Sequence, residues 1–339
     1  MGHPAHYHNV KFVAKTLSEK GHRIIYVARK KDVLFELLEG VEFKTIYLKA
    51  RHSSSRLGLY WAVLKREIRL FGICIRYRPK ILIGTDIVIT HIAKILRKKS
   101  LVLNEDDSKE VPFLAKFGFK YSTHTLSPNC CDISPYNHKK IGYNGYHELA
   151  YLAPRFFQQS KSRLKEMNLE QPYFILRFAK LNAHHDDGKK GISDELALEI
   201  IKRLSPFGRV YLTSERKFGT SLEPYRTSVS PSFIHDALSA ASLYIGDSQT
   251  MAAEAAVLGT PSIRFNDFVG KLSYLEELEH KYSLTCGFST DQSDQLLLKI
   301  DELMKSSNLK ETWKKRQQKM LESCDDVHDE WINIIEKLS

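Results

Sequence analysis

The 339-residue sequence lacks any apolar run of about 18 residues, the length that a membrane-spanning helix requires. We also expect no signal peptide, because Met1-Gly2-His3-Pro4 is followed by polar residues and no apolar core. Its five cysteines are odd in number, and none lies in a Cys-x-x-Cys pair. This pattern argues against a disulfide framework and a zinc site. We therefore expect a cytoplasmic protein with reduced thiols.

The surplus of positive charge lies in the first half of the chain. Residues 1–160 contain 27 Lys and Arg against 13 Asp and Glu, whereas residues 161–339 contain 24 against 27. Such a surplus suits an anionic membrane surface, a polyanionic acceptor or nucleic acid. No nucleic-acid-binding motif accompanies it, so we expect no nucleic-acid partner. Peripheral contact of the basic half with the inner face of a membrane remains one alternative.

Strand and helix patterns alternate along the chain, which predicts an α/β fold with parallel sheets. The length suits two domains. We place one Rossmann-like domain at 1–155 and a second at 156–320. The strongly helical residues 321–339 are long enough to cross back to the first domain. Residues 129–155 are irregular and form the predicted interdomain passage, where His147 and Glu148 are expected in a cleft.

The predicted first domain has no first strand. A turn at Gly2–His6 leads at once into an amphipathic helix through Leu17, and the next strand pattern is Arg23–Ala28. In a doubly wound fold such a turn and helix follow a central strand. Either the sheet lacks that strand or the strand lies upstream of Met1. We favour the second, because a missing central strand would expose two parallel neighbours that need burial.

The segment from Leu57 to Arg76 is both apolar and basic. Leu59, Trp61, Leu64, Ile68 and Phe71 recur at helical spacing, with Lys65, Arg66 and Arg69 between them. A basic amphipathic helix of this kind can lie on a membrane surface. We favour a helix whose apolar face packs on the core while its basic side chains reach solvent.

The stretch Ser242–Arg264 predicts a strand, a turn, a helix and a second strand. Asp247 or Ser248 is a good N-cap, and Gly259 followed by Thr260-Pro261 ends the helix. The helix amino terminus, with Ser248, Gln249 and Thr250, suits a phosphate. Glu254, one turn further in, suits a ribose diol. The alternative is an ordinary buried βαβ unit with a capped helix.

Three polar loops follow strands of the first domain, and in a doubly wound sheet they converge on one edge. They bring together His3, His6, Asp86 and Glu105 as candidate catalytic residues. A histidine and carboxylates suit proton transfer at a sugar hydroxyl or carbon. For Asp86, capping the helix that starts at Ile87 is an equal alternative.

The segment GDSQTMAAEAAVLGTPSIR resembles the donor-binding segment of nucleotide-sugar enzymes with two facing Rossmann-like domains, the GT-B architecture. These include UDP-N-acetylglucosamine 2-epimerases and the peptidoglycan-precursor glycosyltransferase. The resemblance implies that the turn at Asp247 and Ser248 holds the diphosphate and that Glu254 binds the ribose. Gln249 and Thr250 stand where those families usually carry two glycines.

The resemblance extends to the first domain. Gly84-Thr85-Asp86 and Leu103-Asn104-Glu105 occupy the places of two acidic catalytic motifs of the epimerases. The epimerases' His-Arg-Arg-Glu-Asn run is absent, and Arg177-Phe178-Ala179-Lys180 stands there instead. Over nearly its full length the chain looks most like an uncharacterised prokaryotic family with GHPAH, G-x-H-E-L-x-Y-L and G-D-S-Q-T-M-x-x-E-A motifs.

No cofactor and no metal are expected. The run His184-His185-Asp186-Asp187 could be taken for metal ligands, but adjacent residues seldom point at one ion. Inverting GT-B enzymes generally use helix dipoles and basic residues in place of a metal, and Arg177 and Lys180 are candidates for that role.

The resulting hypothesis is a glycosyltransferase that moves a sugar from a UDP-sugar to a cell-surface polysaccharide or lipid-linked acceptor. One alternative is an epimerase acting on a UDP-N-acetylhexosamine, which Asp86 and Glu105 favour. Another is a non-catalytic nucleotide-sugar-binding protein recruited to a membrane.

Overall fold

The computed structural model describes residues 1–30, 32–48, 56–179 and 191–339. The chain divides into two compact units. Unit 1 comprises Met1–Tyr151 and Asp325–Ser339, and unit 2 comprises Leu152–Cys324. Both units are α/β with parallel sheets, as the alternating sequence pattern predicts. None of the helices in the described part of the chain has the length and apolar character needed to cross a membrane.

The strands and helices follow the hydrophobic pattern of the sequence. The strands are β1 (Ile25–Arg29), β2 (Lys44–Leu48), β3 (Ile81–Gly84), β4 (Lys99–Leu103), β5 (His124–Pro128), β6 (Lys140–Tyr143), β7 (Tyr173–Phe178), β8 (Arg209–Ser214), β9 (Leu243–Gly246), β10 (Ser262–Phe265) and β11 (Thr285–Phe288). The helices are α1 (Pro4–Glu19), α2 (Asp32–Leu38), α3 (Arg56–Tyr77), α4 (Ile87–Ile95), α5 (Pro112–Leu114), α6 (Leu149–Leu152), α7 (Lys161–Glu166), α8 (Asp194–Leu204), α9 (Ile234–Ala240), α10 (Gln249–Val257), α11 (Ser273–His280), α12 (Ser293–Met304), α13 (Leu309–Ser323) and α14 (Val327–Leu338).

Unit 1 holds two parallel sheets, β1–β2 and β3–β4–β5–β6. Met1 lies along the edge of β1 opposite β2. Its amino group donates to the carbonyl of Val27 at 2.6 Å, and its carbonyl accepts from the amide of Arg29 at 2.8 Å. Bonds to alternate residues are the pattern of a parallel pair. Within the described residues no strand precedes α1, as the sequence predicts.

The carboxyl-terminal helix α14 is part of unit 1 and packs along α1. The hydroxyl of Thr16 lies 3.1 Å from Nε2 of His328, and Lys20 pairs with Glu336 at 2.6 Å. Trp331 is fully buried. The last helix therefore closes the core of the first unit.

Unit 2 is one five-stranded parallel sheet in the order β11-β10-β9-β7-β8. Every residue of β9 and β10 is buried, and so is every residue of α10 from Met251 onward. This explains why the predicted strand–turn–helix–strand pattern of 242–264 is recovered, since apolar strands and an alanine-rich helix tolerate burial on all sides.

Two expectations for unit 1 are wrong. The passage at 129–155 contains β6, the edge strand beside β5, and His147 and Glu148 are buried inside unit 1. The helix at 57–76 exposes the apolar face that was expected to pack on the core. Its buried residues are Leu70 and Cys74, which pack against α4. Apolar residues recur on both faces of this helix, so periodicity alone does not select the buried one.

Candidate functional site

The strand order of unit 2 places a topological switch point between β7 and β9. The chain passes from β7 to β8 on one side and then returns to β9 on the other. Ligands of open α/β sheets bind beyond the carboxyl ends of the strands at such a point. The residues at this point are Arg177, at the end of β7, and Gly246-Asp247-Ser248, which lead from β9 into α10.

The amino end of α10 is the accessible part of an otherwise buried helix. Met251 to Val257 are buried, whereas Ser248, Gln249 and Thr250 are half-buried. The side chain of Ser248 caps the helix by accepting from the amide of Met251 at 3.4 Å. The first turn contains no acidic residue. Its exposed N–H groups and the positive end of the helix dipole therefore suit an anion such as a phosphate.

Asp247 holds the backbone around this helix start. It is 2 % exposed, and its carboxylate accepts from the amides of Ala179 and Ile192. Burial raises the pKa of Asp247 to about 6. A Cβ on Gly191 would lie 2.4 Å from the same carboxylate, so this glycine is required for the close approach. Asp247 therefore acts as a positioning residue that holds the backbone of Ala179 and Ile192 beside the helix start.

The segment 180–190 carries five further residues that the sequence analysis singled out. Lys180, the candidate phosphate ligand, lies outside the described residues, as do His184, His185 and the two aspartates that follow them.

Glu254 is 4 % exposed and has a partner that the sequence analysis missed. Its Oε1 lies 3.0 Å from Nε2 of His235 on α9. His235 is itself buried, with the ring of Phe157 edge-on at 6.3 Å. A histidine inside the apolar run of α9 was the available signal. This pair fixes the orientation of Glu254 one turn inside α10.

Arg177 and Asn266 complete the rim of the switch point. Arg177 pairs with Glu215 at the end of β8, and its Nε has no hydrogen-bond partner in the part of the chain that the structure describes. Asn266, also missed by sequence reasoning, is fully buried and donates to the carbonyl of Asp247 at 3.2 Å. Its side-chain oxygen accepts from the side-chain Nε2 of Gln249 at 3.4 Å. Gln249 is thereby held across the helix start.

In unit 1, α1 begins with two of the predicted catalytic histidines. His3 is exposed and caps the helix by accepting from the amide of Ala5 at 3.3 Å. Nδ1 of His6 lies 2.8 Å from the hydroxyl of Thr85, beyond the end of β3. Burial lowers the pKa of His6 well below its ordinary value. His6 is therefore neutral near pH 7, so a ring nitrogen is able to accept a proton, but the lowered pKa makes it a weaker base than an ordinary histidine.

Asp86 is both a helix cap and an ion-pair partner. It accepts from the amide of Val88 at 3.2 Å, as the capping alternative predicts, and it contacts Arg29 and Arg66. Burial alone would raise the pKa of Asp86, but the two guanidinium groups outweigh it and lower this pKa below its ordinary value. A carboxylate held in this way is a weak base.

A second polar cluster contains Glu105, the remaining predicted catalytic residue. Nδ1 of His147 lies 3.4 Å from Oε2 of Glu105 and accepts from the side-chain Nδ2 of Asn9 at 3.3 Å. His147 is 3 % exposed, and the ring of Trp331 meets it edge-on at 5.0 Å. Glu148, next in sequence, is 1 % exposed. Asn9 lies three residues after His6 on α1, so one helix supplies both clusters.

The neutral state of His147 predicts a specific pH dependence of stability. Burial lowers the pKa of His147 to about 3, from about 6.5 in the unfolded chain. Between these values the unfolded state binds more protons, so His147 makes the free energy of unfolding fall as pH decreases, by about 1.4 kcal/mol per unit. Between pH 6.5 and 4.5, we expect the free energy of unfolding of His147→Asn to fall by about 2–3 kcal/mol less than that of the wild type. Asparagine keeps an acceptor for Asn9. Denaturant unfolding followed by the fluorescence of Trp331 measures this.

The exposed His138 provides the matched control for that experiment. His138→Asn should keep the slope of the wild type. Equal slopes for wild type and His147→Asn would show that His147 is not held neutral.

One group of possible metal ligands occurs within the described ranges, namely Asp326, His328 and Asp329, whose ligand atoms lie within 4.8 Å of one another. These side chains already make polar contacts with one another and with the backbone at the start of α14. Asp326 accepts from the amide of Asp329 at 3.1 Å, and Nδ1 of His328 lies 2.9 Å from the carboxylate of Asp329. The arrangement is explained by helix capping.

Comparison with known proteins identifies the fold. No protein-family model matches the chain, and no curated protein sequence matches it. A solved structure of a putative UDP-N-acetylglucosamine 2-epimerase from Listeria monocytogenes is 13% identical, with a TM-score of 0.72 over 100% of this chain and 93% of that one. MnaA from S. aureus, solved with UDP, is 12% identical, with a TM-score of 0.65 over 97% and 92%.

A glycosyltransferase gives a similar match. The spinosyn forosaminyltransferase SpnP is 14% identical, with a TM-score of 0.61 over 99% of this chain and 97% of its own. The chain therefore has the fold of GT-B glycosyltransferases and UDP-N-acetylglucosamine 2-epimerases over nearly its whole length, as the sequence resemblance implies.

Proposed function

We propose that the protein is a GT-B nucleotide-sugar enzyme that binds a UDP-sugar at the switch point of unit 2. The observation that carries the proposal is the half-buried amino end of α10 at the switch point between β7 and β9. In this proposal the diphosphate lies against the first-turn N–H groups with Ser248, Gln249 and Thr250. Glu254, oriented by His235, accepts from the ribose hydroxyls.

The preferred reaction is transfer of the sugar to a hydroxyl of a cell-surface polysaccharide or glycolipid. His6 is neutral near pH 7 and contacts Thr85, and we assign it as the base that accepts the proton of that hydroxyl. As the bond from the sugar to the diphosphate breaks, negative charge develops on UDP. The helix start and Arg177 stabilise this charge. The proposal requires no cofactor and no metal.

A second candidate reaction is epimerisation of a UDP-N-acetylhexosamine. The contact between the half-buried Glu105 and the buried His147 favours it, because a carboxylate beside a neutral histidine suits proton transfer at carbon. The fold shared with UDP-N-acetylglucosamine 2-epimerases supports it equally well.

Proton NMR with UDP-N-acetylglucosamine alone, followed over hours, separates the two reactions. New anomeric signals or released UDP without an acceptor would favour the epimerase. Shifts of the uracil and ribose signals with no turnover would favour a transferase that awaits its acceptor. The absence of any perturbation would contradict UDP-sugar binding.

The ribose assignment predicts a loss of nucleotide affinity in Glu254→Gln. Glutamine keeps an oxygen for His235 but removes the charge, and charge-assisted hydrogen bonds are about twice as strong as neutral ones. We expect UDP to bind about tenfold more weakly, as measured by titration calorimetry. The control is Glu199→Gln on the exposed face of α8. Unchanged affinity in Glu254→Gln would remove the ribose assignment.

A further inference from the structure

Helix α3 presents a continuous apolar surface to solvent. It is 22 residues long, or about 33 Å. Five large apolar side chains spaced three and four residues apart form what we call the α3 stripe. Its members are Trp61 (61% exposed), Leu64 (42%), Ile68 (63%), Phe71 (38%) and Ile75 (53%). Residues at this spacing share one helix face. Soluble proteins seldom leave a contiguous apolar patch of this extent uncovered unless it has a binding partner.

The α3 stripe is separate from the face that stabilises unit 1. Leu70 and Cys74 lie on the other side of the helix and pack against Val88 and Ile92 of α4. The fold therefore does not need the stripe, and its side chains are available for an external surface.

Basic side chains border the α3 stripe on one side. Lys65, Arg69 and Arg76 are exposed and follow one another at helical spacing, and we call them the basic flank. Residues 61–77 contain four lysines and arginines and one acidic residue, Glu67. Nδ1 of His91 lies 2.6 Å from the carboxylate of Glu67, which ties this side chain to α4. A partner that matches the charge of this basic surface is therefore anionic.

We propose that the α3 stripe and the basic flank bind the surface of an anionic lipid bilayer, with α3 lying in the plane of the interface. A helix with large apolar and aromatic residues on one face and lysine or arginine beside them inserts about 5–10 Å into the headgroup boundary. The flank faces anionic headgroups, each basic residue near the surface contributing attraction that falls with salt. This inference does not depend on the proposed UDP-sugar chemistry.

Sedimentation of the full chain with lipid vesicles tests the proposal. We expect strong binding to vesicles of equal parts phosphatidylglycerol and phosphatidylcholine, and weak binding to phosphatidylcholine alone or at high salt. Trp61 gives a second readout, because Trp313 and Trp331 are 3% and 0% exposed. Its emission should shift to shorter wavelength on binding.

Three variants separate the contributions of the α3 stripe and the basic flank to vesicle binding. Trp61→Ser with Ile68→Ser and Ile75→Ser should reduce the partition coefficient at least about tenfold. Lys65→Gln with Arg69→Gln and Arg76→Gln should reduce it about 100-fold and remove most of its salt dependence. The control replaces exposed apolar residues of unit 2, Phe207→Ser with Leu298→Ser, and should bind like wild type. Circular dichroism verifies that each variant folds.

Other outcomes would overturn the proposal. These are vesicle binding that survives the stripe substitutions, a missing spectral shift of Trp61, or no binding by wild type. A concentration-dependent dimer in light scattering without lipid, abolished by the stripe substitutions, would assign the stripe to a second copy of the chain instead. Titration of the same variants with UDP measures nucleotide binding, so the proposed function is tested separately from vesicle binding.

Discussion

Replacing Arg264 by alanine is expected to lower the free energy of unfolding of unit 2 by about 3–5 kcal/mol, because it breaks a buried ion-pair network. Arg264 on β10 has no exposed surface and donates to Glu276 at 3.1 Å and to Glu279 at 2.5 Å, both on α11. Without the guanidinium, two carboxylates remain in a poorly solvated environment. Hydrogen exchange of unit 2 peptides during denaturation measures the loss separately from unit 1.

The pH dependence identifies the cause of that loss. Burial alone would raise the pKa of Glu276, but Arg264 outweighs it and lowers this pKa. Glu276 therefore contributes stability above its ordinary pKa near 4.5, and the contribution is lost as pH falls through its lower folded value. The Arg264→Ala variant should lack this contribution, so its deficit should shrink in acid.

A surface arginine supplies the control for Arg264. Arg203 is 31% exposed and pairs with Glu199 at 2.8 Å, so Arg203→Ala should cost less than about 1 kcal/mol. Should Arg264→Ala not fold, Arg264→Met with Glu276→Gln and Glu279→Gln removes all three charges, and this variant should be markedly more stable than Arg264→Ala. Equal losses for Arg264→Ala and Arg203→Ala would contradict the role of the network.

Replacing His6 by glutamine is expected to reduce turnover about 10²–10⁴-fold, the usual contribution of a general base. UDP binding should be unchanged, because the proposed nucleotide site lies entirely in unit 2. Thr85→Val, which removes the hydroxyl 2.8 Å from Nδ1, should give a smaller loss and a shifted pH profile. Single-turnover kinetics and UDP titration on the same preparations separate the two effects.

His138→Gln is the control for His6, since His138 is an exposed histidine of unit 1. It should keep full turnover. If His6→Gln retained turnover while Glu105→Gln abolished it, the base would be Glu105 and the epimerase would become the preferred reaction.

The local sequence identified the helix start of the candidate site but not the side chains that hold it. Asp247 and Ser248 follow an apolar strand, and the alanine-rich helix ends at Gly259, so capping and propensity locate this unit. His235 and Asn266 come from other elements and reach Glu254 and Gln249 only through the strand order of the sheet. No local pattern records such contacts.

By itself the sequence determined the α/β class, the parallel sheets and the βαβ unit around α10, because these depend on hydrophobic period, turns and caps within short windows. Tertiary structure decided which face of α3 is buried, since both faces carry apolar residues and only packing against α4 selects Leu70 and Cys74. It also turned a glycine-containing passage into the edge strand β6 and buried His147 against Trp331. Residues about 180 positions apart met there because burial of a shared core, and not sequence proximity, determines which side chains come together.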